Sequence, residues 1–257
     1  MIAISHLSKQ FGKQTVLHDV SITFEDHTIY GLIGPNGCGK TTLMRCICGF
    51  TKPTDGTVTV DGKVIGKDCD FAPSTGIIIE TPGFLPHNSA WRNLAILAGI
   101  SGKADKARID EVIRLVGLDP NDKKPVSKYS LGMRQRLGIA IALAGRPDFL
   151  VLDEPVNGLD PEGIIEMREL ILKLNREQGL TVLISSHILD ELARLATHYG
   201  FIDGGRMVRE MSAQELENAS RKCMRLTVSD VKALALALDE LGAEYRILSP
   251  TEAQLFT

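Results

Sequence analysis

A glycine-rich run that ends in a lysine and two threonines carries the clearest chemistry in the sequence. Residues 34–42 read GPNGCGKTT and match the pattern G-x-x-x-x-G-K-[ST]. Glycines let successive backbone N–H groups point inward around a phosphate, and a helix that begins there adds about half a positive charge. Lys40 could then reach the β- and γ-phosphates of a nucleotide, and the Thr41 hydroxyl could ligate Mg²⁺. The run therefore predicts a nucleotide-phosphate site.

An acidic pair supplies the second half of this chemistry. Asp153 and Glu154 directly follow the apolar run Phe149–Leu152, and ligands collect where the strands of an open parallel sheet end. Asp153 is predicted to hold Mg²⁺, usually through water, and Glu154 to polarise an attacking water as a general base. The alternative, that Asp-Glu-Pro merely caps the next turn, is disfavoured beside a phosphate loop.

Hydrophobic periodicity predicts the elements that must position these residues. Apolar and polar residues alternate through the first thirty positions, which indicates antiparallel strands joined at Gly12-Lys13, and a second hairpin is expected at Asp61-Gly62. From Ser89 to about Ala144 the period becomes helical, so a helical subdomain at about 84–145 is inserted. The other strands and helices alternate, which favours βαβ units and a mainly parallel sheet. Buried strands are expected at 29–33, 76–80, 149–152 and 181–185, and helices at 41–49, 91–97, 105–116, 131–144 and 162–178.

The sequence also predicts two domains. Residues 1–211 form the main domain, which ends in a hairpin at Asp203-Gly204-Gly205, and residues 212–257 form a small accessory tail of α+β type. In the tail a helix is followed by elements at 224–228, 231–241 and 244–248. The tail carries no chemical motif, and the sequence leaves open that it continues in a longer protein.

Composition limits the classes of function. The chain has 257 residues, 44% of them hydrophobic, a net charge of −3 and a pI near 6.1, which suits a soluble α/β protein and argues against binding nucleic acid through phosphate neutralisation. Apolar runs such as Leu137–Ala144 are too short to span a bilayer. We therefore expect membrane contact only through a partner.

The cysteines indicate a reducing compartment. The five cysteines are odd in number and lack the paired spacing of a zinc site, so free thiols in the cytoplasm are expected. Cys38 lies inside the phosphate loop, where a helix N-terminus would lower the pKa of its thiol. This thiol is expected to be sensitive to alkylation and to have no catalytic role.

The start of the last helix in the inserted subdomain makes a family resemblance specific. Residues 129–133 read YSLGM and resemble the L-S-G-G-Q signature of ATP-binding-cassette proteins. Ser130 and Gly132 retain the second and fourth positions, and the other three differ. A serine hydroxyl and free backbone N–H groups at a helix N-terminus can bind a γ-phosphate. In isolation S-x-G is an ordinary N-cap serine, so position in the chain carries this prediction.

Further features of that family fall in order along about the first 210 residues. Phe11 lies where an aromatic ring stacks on adenine, although a core role is the alternative. Residues 157–160 (NGLD) resemble the D-loop, and His187 matches the histidine that contacts the γ-phosphate. Glu80 stands where the family usually places glutamine, and its carboxylate could still approach Mg²⁺ or its water.

The resemblance implies a fold and a set of site residues. The fold is α/β, a P-loop NTPase (RecA-like) core with an N-terminal antiparallel β subdomain, an inserted helical subdomain and a small C-terminal α+β tail. Catalytic roles fall on Glu154, His187 and Lys40, and metal binding falls on Thr41, Glu80 and Asp153. Nucleotide contacts fall on Phe11, Gly34, Pro35, Asn36, Gly37, Cys38, Gly39, Lys40, Thr41, Thr42, Ser130, Gly132 and Asp160.

The resemblance also implies a function. The segments ETPGFLP, SLGMRQRLG and NGLDP look like the bacitracin-resistance and lantibiotic-immunity branch of exporters. An ATP-hydrolysing subunit using ATP and Mg²⁺ is then expected, cytoplasmic and peripheral to the inner face of the cell membrane. Its partners would be a second copy, joined head to tail, and transmembrane permease subunits on separate chains, with no nucleic acid.

Two other functions compete with this interpretation. A soluble ABC-type ATPase not coupled to transport usually carries two cassettes or a long coiled-coil insertion, and neither pattern occurs in the sequence. An ordinary P-loop phosphotransferase would leave Ser130, Asp160 and His187 unexplained. A cluster of Phe84, Leu85 and Trp91 could receive a helix of a membrane subunit; for Trp91 we favour packing within the helical subdomain.

Overall fold

A parallel sheet with buried strands forms the centre of the larger of two units. The computed structural model describes residues 1–80, 83–101, 105–219 and 223–256, and the chain divides into the units Met1–Met211 and Ser212–Thr257. The strands of the larger unit are β1 (Ile2–Phe11), β2 (Gln14–Phe24), β3 (Ile29–Ile33), β4 (Asp55–Val60), β5 (Lys63–Val64), β6 (Thr75–Ile78), β7 (Phe149–Leu152), β8 (Thr181–Ser186), β9 (His198–Asp203) and β10 (Arg206–Ser212).

Six helices lie in the described residues of the larger unit. They are α1 (Lys40–Cys48), α2 (Ala90–Ser101), α3 (Lys106–Leu115), α4 (Leu131–Leu143), α5 (Pro161–Gln178) and α6 (Leu189–Leu192), with a 3₁₀ turn at Val126–Lys128. Within the described residues, none of the helices combines the length and apolar character needed to cross a membrane.

The central sheet has the strand order β10-β9-β3-β8-β7-β6. β3 pairs in parallel with β8 and β9, and β7 pairs in parallel with β6 and β8. Every residue of β3, β7 and β8 is buried, as expected for strands covered on both faces. Parallel pairing brings the carboxyl ends of these three strands together, where ligands bind in open α/β sheets.

A second, antiparallel sheet covers the phosphate-loop helix. Its order is β2-β1-β4-β5, with β1 paired to both β2 and β4. The alternation in β2 places Leu17, Val20 and Ile22 inward, where they share one core with Leu43 of α1 and Leu32 of β3. Helix α1 is therefore held from two sides. The predicted α/β fold with an N-terminal antiparallel subdomain is confirmed.

The predicted strand at residues 76–80 is wrong at its end. β6 stops at Ile78, and Glu80 has a φ of +63°. This left-handed conformation cannot continue an extended strand and is uncommon for a residue with a Cβ. The chain therefore turns away from the sheet before Glu80.

Helices α2, α3 and α4 make up the inserted helical segment. Asp105 caps α3 by accepting from Arg108 N–H at 2.8 Å, and Ser130 caps α4 by accepting from Met133 N–H at 3.2 Å. Trp91 Nε1 donates to Asp110 Oδ1 at 2.8 Å, so Trp91 links α2 to α3 and packs within this segment.

The described residues of the smaller unit form a three-stranded antiparallel sheet and two helices. Its elements are α7 (Ala213–Ala219), β11 (Cys223–Thr227), α8 (Val231–Glu240), β12 (Tyr245–Ser249) and β13 (Glu252–Phe256), with strand order β11-β13-β12. The sequence analysis missed β13, the central strand. Its five residues become a strand because they pair with β11 on one side and β12 on the other, and local sequence does not record that pairing.

Candidate nucleotide site

The glycine-rich loop connects buried β3 to α1 and depends on two close backbone contacts. Gly39 has a φ of +111°, and a Cβ there would lie 2.8 Å from Leu17 Cδ2. A Cβ on Gly34 would lie 2.1 Å from the carbonyl oxygen of Ile202. A side chain at either position would therefore change the loop.

The other loop residues separate into a tip and a base. The tip, residues 35–37, is exposed, whereas Cys38 and Lys40 at the base are buried. Thr41 and Thr42 lie in the first turn of α1 at intermediate exposure. The exposed tip precedes a helix N-terminus, where unpaired backbone N–H groups favour an anion. The loop has the local structure that a phosphate site requires.

Lys40 is 5% exposed, and its ammonium group is surrounded by oxygen atoms. Nζ donates to the carbonyl oxygens of Gly34 at 2.7 Å and Pro35 at 3.2 Å, and it lies 3.3 Å from Glu154 Oε1. A buried ammonium group needs such partners, because an unpaired charge is costly to remove from water. Lys40 and Glu154, which the sequence separates by 114 positions, are therefore a direct pair.

Asp153 is fixed through both of its carboxylate oxygens. Thr41 Oγ1 donates to Asp153 Oδ2 at 2.7 Å, and Ser185 Oγ donates to Asp153 Oδ1 at 2.6 Å. Ser185 is fully buried at the end of β8, and sequence reasoning assigned it no role. In the sequence, Ser185 stands out only as a polar residue in an otherwise apolar strand. Its contacts with Asp153 and Glu154 appear only in the structure.

Glu154 receives its position from three neighbours. Its backbone N–H donates to Ser185 Oγ at 2.9 Å, and its Oε2 lies 3.1 Å from His187 Nδ1 and 3.3 Å from Asn157 Nδ2, which donates to it. The φ of Glu154 is +47°, a strained conformation for a residue with a side chain that is often found at functional sites. The structure therefore brings together Lys40, Glu154 and His187, and it adds Asn157, which the sequence analysis placed only in the D-loop.

Glu80 has a different partner from the one that the resemblance implied. Its Oε1 lies 2.6 Å from Arg45 Nη2, and the two side chains are 64% and 43% exposed. Arg45 is one turn beyond Thr41 on α1, so these two residues share a helix face. In this structure Glu80 is thus ion-paired with a residue on the same helix face as Thr41, and its role as a metal ligand stays a prediction.

Ser130, Gly132 and Asp160 line one open pocket of about 360 Å³. Ser130 is the N-cap of α4, and Asp160 is the N-cap of α5, where it accepts from Gly163 N–H at 3.0 Å. Two helix N-termini therefore face the same space. None of the phosphate-loop residues lines this pocket, so the predicted nucleotide contacts fall into two separate groups.

Phe11 lies at the end of β1 and is 51% exposed. Lys9 Nζ lies 4.7 Å from the centre of its ring, within the range of a cation–π contact. A core role would require burial, so the exposure of the ring leaves adenine stacking as the role that we retain for Phe11.

The expected effect on Cys38 is wrong in sign. The thiol is 5% exposed, and burial raises its pKa above the ordinary value, although Lys40 acts in the opposite direction. Desolvation disfavours the thiolate, and here it outweighs the helix N-terminus and the lysine. Sequence position alone did not reveal this burial.

Comparisons with known proteins agree with the geometry. Residues 17–157 match the family described as ABC transporter. The chain is 42% identical over 240 residues to the bacitracin transport ATP-binding protein BcrA of Enterococcus faecalis, which covers 93% of this chain and 78% of that protein. It is 41% identical over 218 residues to the lantibiotic transport ATP-binding protein SrtF of Streptococcus pyogenes, covering 85% and 93%.

Solved structures show the same fold. CbiO1 from Clostridium perfringens, part of the ABC transporter complex cbiONQ, superimposes with a TM-score of 0.77 at 23% identity and covers 94% of this chain and 96% of that chain. The ATP-binding cassette MJ0796, in a dimeric post-hydrolysis state bound to ADP and Pi, gives a TM-score of 0.73 at 24% identity and covers 83% and 99%.

Proposed function

The chain belongs to the ABC transporter family as an ATP-binding and ATP-hydrolysing subunit, and on that premise we propose that it drives an exporter of antimicrobial peptides. The observation that carries the mechanism is the cluster in which Lys40, Asp153, Glu154 and His187 meet at the ends of β3, β7 and β8. A phosphate loop, an acidic pair and a histidine at one sheet edge fit phosphoanhydride hydrolysis.

Lys40 and Glu154 define the first step of the proposed mechanism. Lys40 pairs with Glu154 at 3.3 Å, and the γ-phosphate of ATP offers the same ammonium group a stronger anionic partner. When Lys40 binds phosphate, Glu154 loses that partner and its carboxylate can accept a proton from water. His187 and Asn157 keep the carboxylate oriented during this exchange, because they contact Oε2 and Lys40 contacts Oε1.

Thr41 and Asp153 fit a magnesium ion. Hydroxyl and carboxylate oxygens are ligands of the type that Mg²⁺ prefers, and these two lie 2.7 Å apart at the end of a strand. Ser185 fixes the second oxygen of Asp153, which orients the first. When bound, Mg²⁺ would neutralise charge on the β- and γ-phosphates. We propose Glu80 as an outer ligand, since its partner Arg45 lies one turn beyond Thr41 on α1.

A second copy of the chain is proposed to complete the ATP site. The phosphate-loop cluster and the Ser130 pocket are separate within one chain, yet both have features that bind phosphate. In a head-to-tail pair, Ser130 and Gly132 of one copy would close over ATP held by Lys40 of the other. Hydrolysis would then remove the group that joins the copies and allow them to open.

The names of the relatives support a proposal about the partners and the cargo. BcrA and SrtF are bacitracin and lantibiotic transport ATP-binding proteins, so we propose that this chain works with transmembrane permease subunits, at the inner face of the membrane, on cargo of that type. A soluble ATPase that is not coupled to transport is disfavoured by these similarities.

The test combines partner capture with resistance. The tagged chain should co-purify with a polytopic membrane protein, and the two expressed together should raise the inhibitory concentration of bacitracin or a lantibiotic in a sensitive host. Glu154→Gln should keep the complex and lose the resistance. Capture without any change in resistance would remove the cargo proposal, and failure to bind a membrane subunit would favour a soluble ATPase.

A further inference from the structure

The buried side chain of Asn93 fixes the turn at residues 85–89. Residues 85–89 lead into α2, and Ser89 Oγ accepts from Arg92 N–H at 3.3 Å at the start of that helix. Asn93, one turn into the helix, is 0% exposed, although asparagine is mostly a surface residue. Burial of its amide group requires hydrogen bonds that replace those to water.

Asn93 obtains these bonds from the backbone of the preceding turn. Its Oδ1 accepts from Leu85 N–H at 2.7 Å, and its Nδ2 donates to Leu85 O at 3.1 Å. The same Nδ2 lies within donating distance of Ser89 O at 3.0 Å and Asn88 O at 3.3 Å. The donors and the acceptor of the amide are therefore all engaged. Asn93 fixes the turn at residues 85–89 onto α2.

The same turn is bonded to the residues immediately before Ser130. Val126 N–H donates to Asn88 O at 2.9 Å, and Ser127 N–H donates to Pro86 O at 2.9 Å. Both donors belong to the 3₁₀ turn Val126–Lys128. The turn at residues 85–89 and the backbone before Ser130 are therefore joined directly.

Tyr129 adds a third contact, and it does so at a position where the sequence departs from L-S-G-G-Q. Tyr129 is 4% exposed, and burial raises the pKa of its hydroxyl, whereas the backbone N–H of Ala90, which faces that hydroxyl, acts to lower this pKa. A leucine would fill apolar space here but would leave Ala90 N–H, one of the unpaired donors at the start of α2, without this acceptor. The carbonyl of Tyr129 also accepts from Arg134 Nη1 at 2.8 Å. Side chain and backbone of residue 129 are thus both fixed.

We propose that Asn93 and Tyr129 are positioning residues that hold Ser130 in a fixed place relative to the turn at residues 85–89. This inference rests on the proposed function, because it requires Ser130 to act on ATP bound by a second copy. A movement of the turn at residues 85–89 would then reach Ser130 through the two backbone hydrogen bonds from Val126 and Ser127 and through the contact of Ala90 with Tyr129. Neither side chain belongs to the phosphate-loop cluster, so loss of either should weaken closure of the pair and leave ATP binding by one chain unchanged.

The test measures ATP affinity and dimer formation separately, in full-length chains that carry Glu154→Gln to suppress hydrolysis. Tyr129→Phe removes one hydroxyl, and Asn93→Asp keeps the shape of the side chain but removes its donors. Matched controls are Tyr199→Phe, whose hydroxyl donates to Leu192 O at 3.1 Å, and Asn175→Asp, whose Nδ2 donates to Leu180 O at 2.7 Å. Calorimetry on dilute protein gives the ATP dissociation constant, and analytical ultracentrifugation gives the dimer dissociation constant.

Tyr129→Phe should raise the dimer dissociation constant by about tenfold, the factor that corresponds to one lost buried polar contact, and Asn93→Asp should raise it at least as much because it removes both amide donors. Their ATP affinity should equal that of Glu154→Gln alone, and the two controls should form dimers normally. Without Glu154→Gln, the variants should need more protein to reach half-maximal specific activity, a shift that simple loss of stability does not produce.

Three results would overturn the inference. Dimer formation equal to that of Glu154→Gln alone would show that the link does not position Ser130. An equal weakening in the Tyr199 and Asn175 controls would assign the effect to general stability. Should Asn93→Asp not fold, Tyr129→Phe decides between these outcomes. If Glu154→Gln alone forms no ATP-dependent dimer, the proposed composite site fails first, and the inference fails with it.

Discussion

The phosphate-loop cluster and the Ser130 pocket differ in how each would bind the phosphate that we propose for it. In the cluster, charged side chains from three strand ends pair with one another, and Lys40 is only 5% exposed. In the pocket, two helix N-termini capped by Ser130 and Asp160 face an open space. Buried charges can bind and cleave a phosphate, whereas helix dipoles and a hydroxyl mainly recognise one. We therefore expect damage to the cluster to affect chemistry or ATP binding, and damage to the pocket to affect assembly.

The largest effect should follow loss of the general base in the cluster. Glu154→Gln keeps the shape of the side chain and the backbone bond to Ser185, so ATP should still bind. The amide cannot accept a proton, and hydrolysis should fall by about 10²- to 10⁴-fold, the usual contribution of general base catalysis. Steady-state phosphate release and ATP calorimetry measure the two effects. Asp190→Asn, which changes another carboxylate of the described chain, is the control, and unchanged turnover in Glu154→Gln would remove the general-base role.

Lys40→Ala should affect binding itself. The variant removes the charged donor that pairs with Glu154 and contacts two loop carbonyls, and it leaves Glu154 without its cationic partner. We expect the ATP dissociation constant to rise by about 10- to 100-fold, because a charge-assisted bond to phosphate is lost. Lys173→Ala, on an exposed position of α5, controls for loss of one positive charge. Wild-type ATP affinity in Lys40→Ala would contradict the phosphate role.

The sequence predicted the cluster better than it predicted the contacts within it. Local patterns sufficed for the phosphate loop and for the strands that carry Asp153 and His187, because burial on both faces leaves continuous apolar runs. Ser185 was missed, since its partners lie on another strand and become neighbours only through the sheet order. The Arg45–Glu80 pair was missed for the same reason, as these residues are 35 positions apart.

The Ser130 pocket was predicted through resemblance rather than through physical pattern. An S-x-G at a helix start is common, and nothing in the local sequence shows that Asp160 shares its pocket. Tyr129 was noted only as a departure from the family, whereas the structure buries its side chain and places its hydroxyl against the backbone N–H of Ala90. Such roles depend on contacts between α2 and the segment before α4, which local periodicity cannot describe.

Ser130→Ala should reduce hydrolysis by about tenfold and leave ATP binding by one chain unchanged, because in the proposed pair the hydroxyl acts on a phosphate held by the other copy.

A mixture of Ser130→Ala and Lys40→Ala chains tests whether two copies share one ATP site. A heterodimer of the two contains one site with both residues intact, so activity should exceed the sum of the separate variants. Phosphate release at fixed total protein measures this, with each variant alone as the control. No gain despite heterodimers shown by tag exchange would place both groups in one chain.

The smallest effect concerns Cys38, which tests how closed the phosphate-loop cluster is. Burial raises the pKa of this thiol above its ordinary value, so less thiolate is present at any given pH than in an ordinary thiol. Alkylation by iodoacetamide should therefore be slower than that of a small model thiol at the same pH, and its rate should keep increasing with pH after that of the model thiol has levelled off. Site-resolved mass spectrometry measures the rates, with buried Cys46, whose pKa burial raises to about 11, as the internal control.

Cys46 should react more slowly than Cys38, because desolvation acts on it with less opposition from a nearby cation, whereas Lys40 partly offsets the desolvation of Cys38. Cys38→Ser should change ATP affinity by less than about twofold, since the loop binds phosphate through backbone N–H groups. Alkylation of Cys38 at pH 7 that outpaces the model thiol would mean that the helix N-terminus and Lys40 dominate over burial. The cluster would then be as open as the Ser130 pocket, and the contrast between the two would be lost.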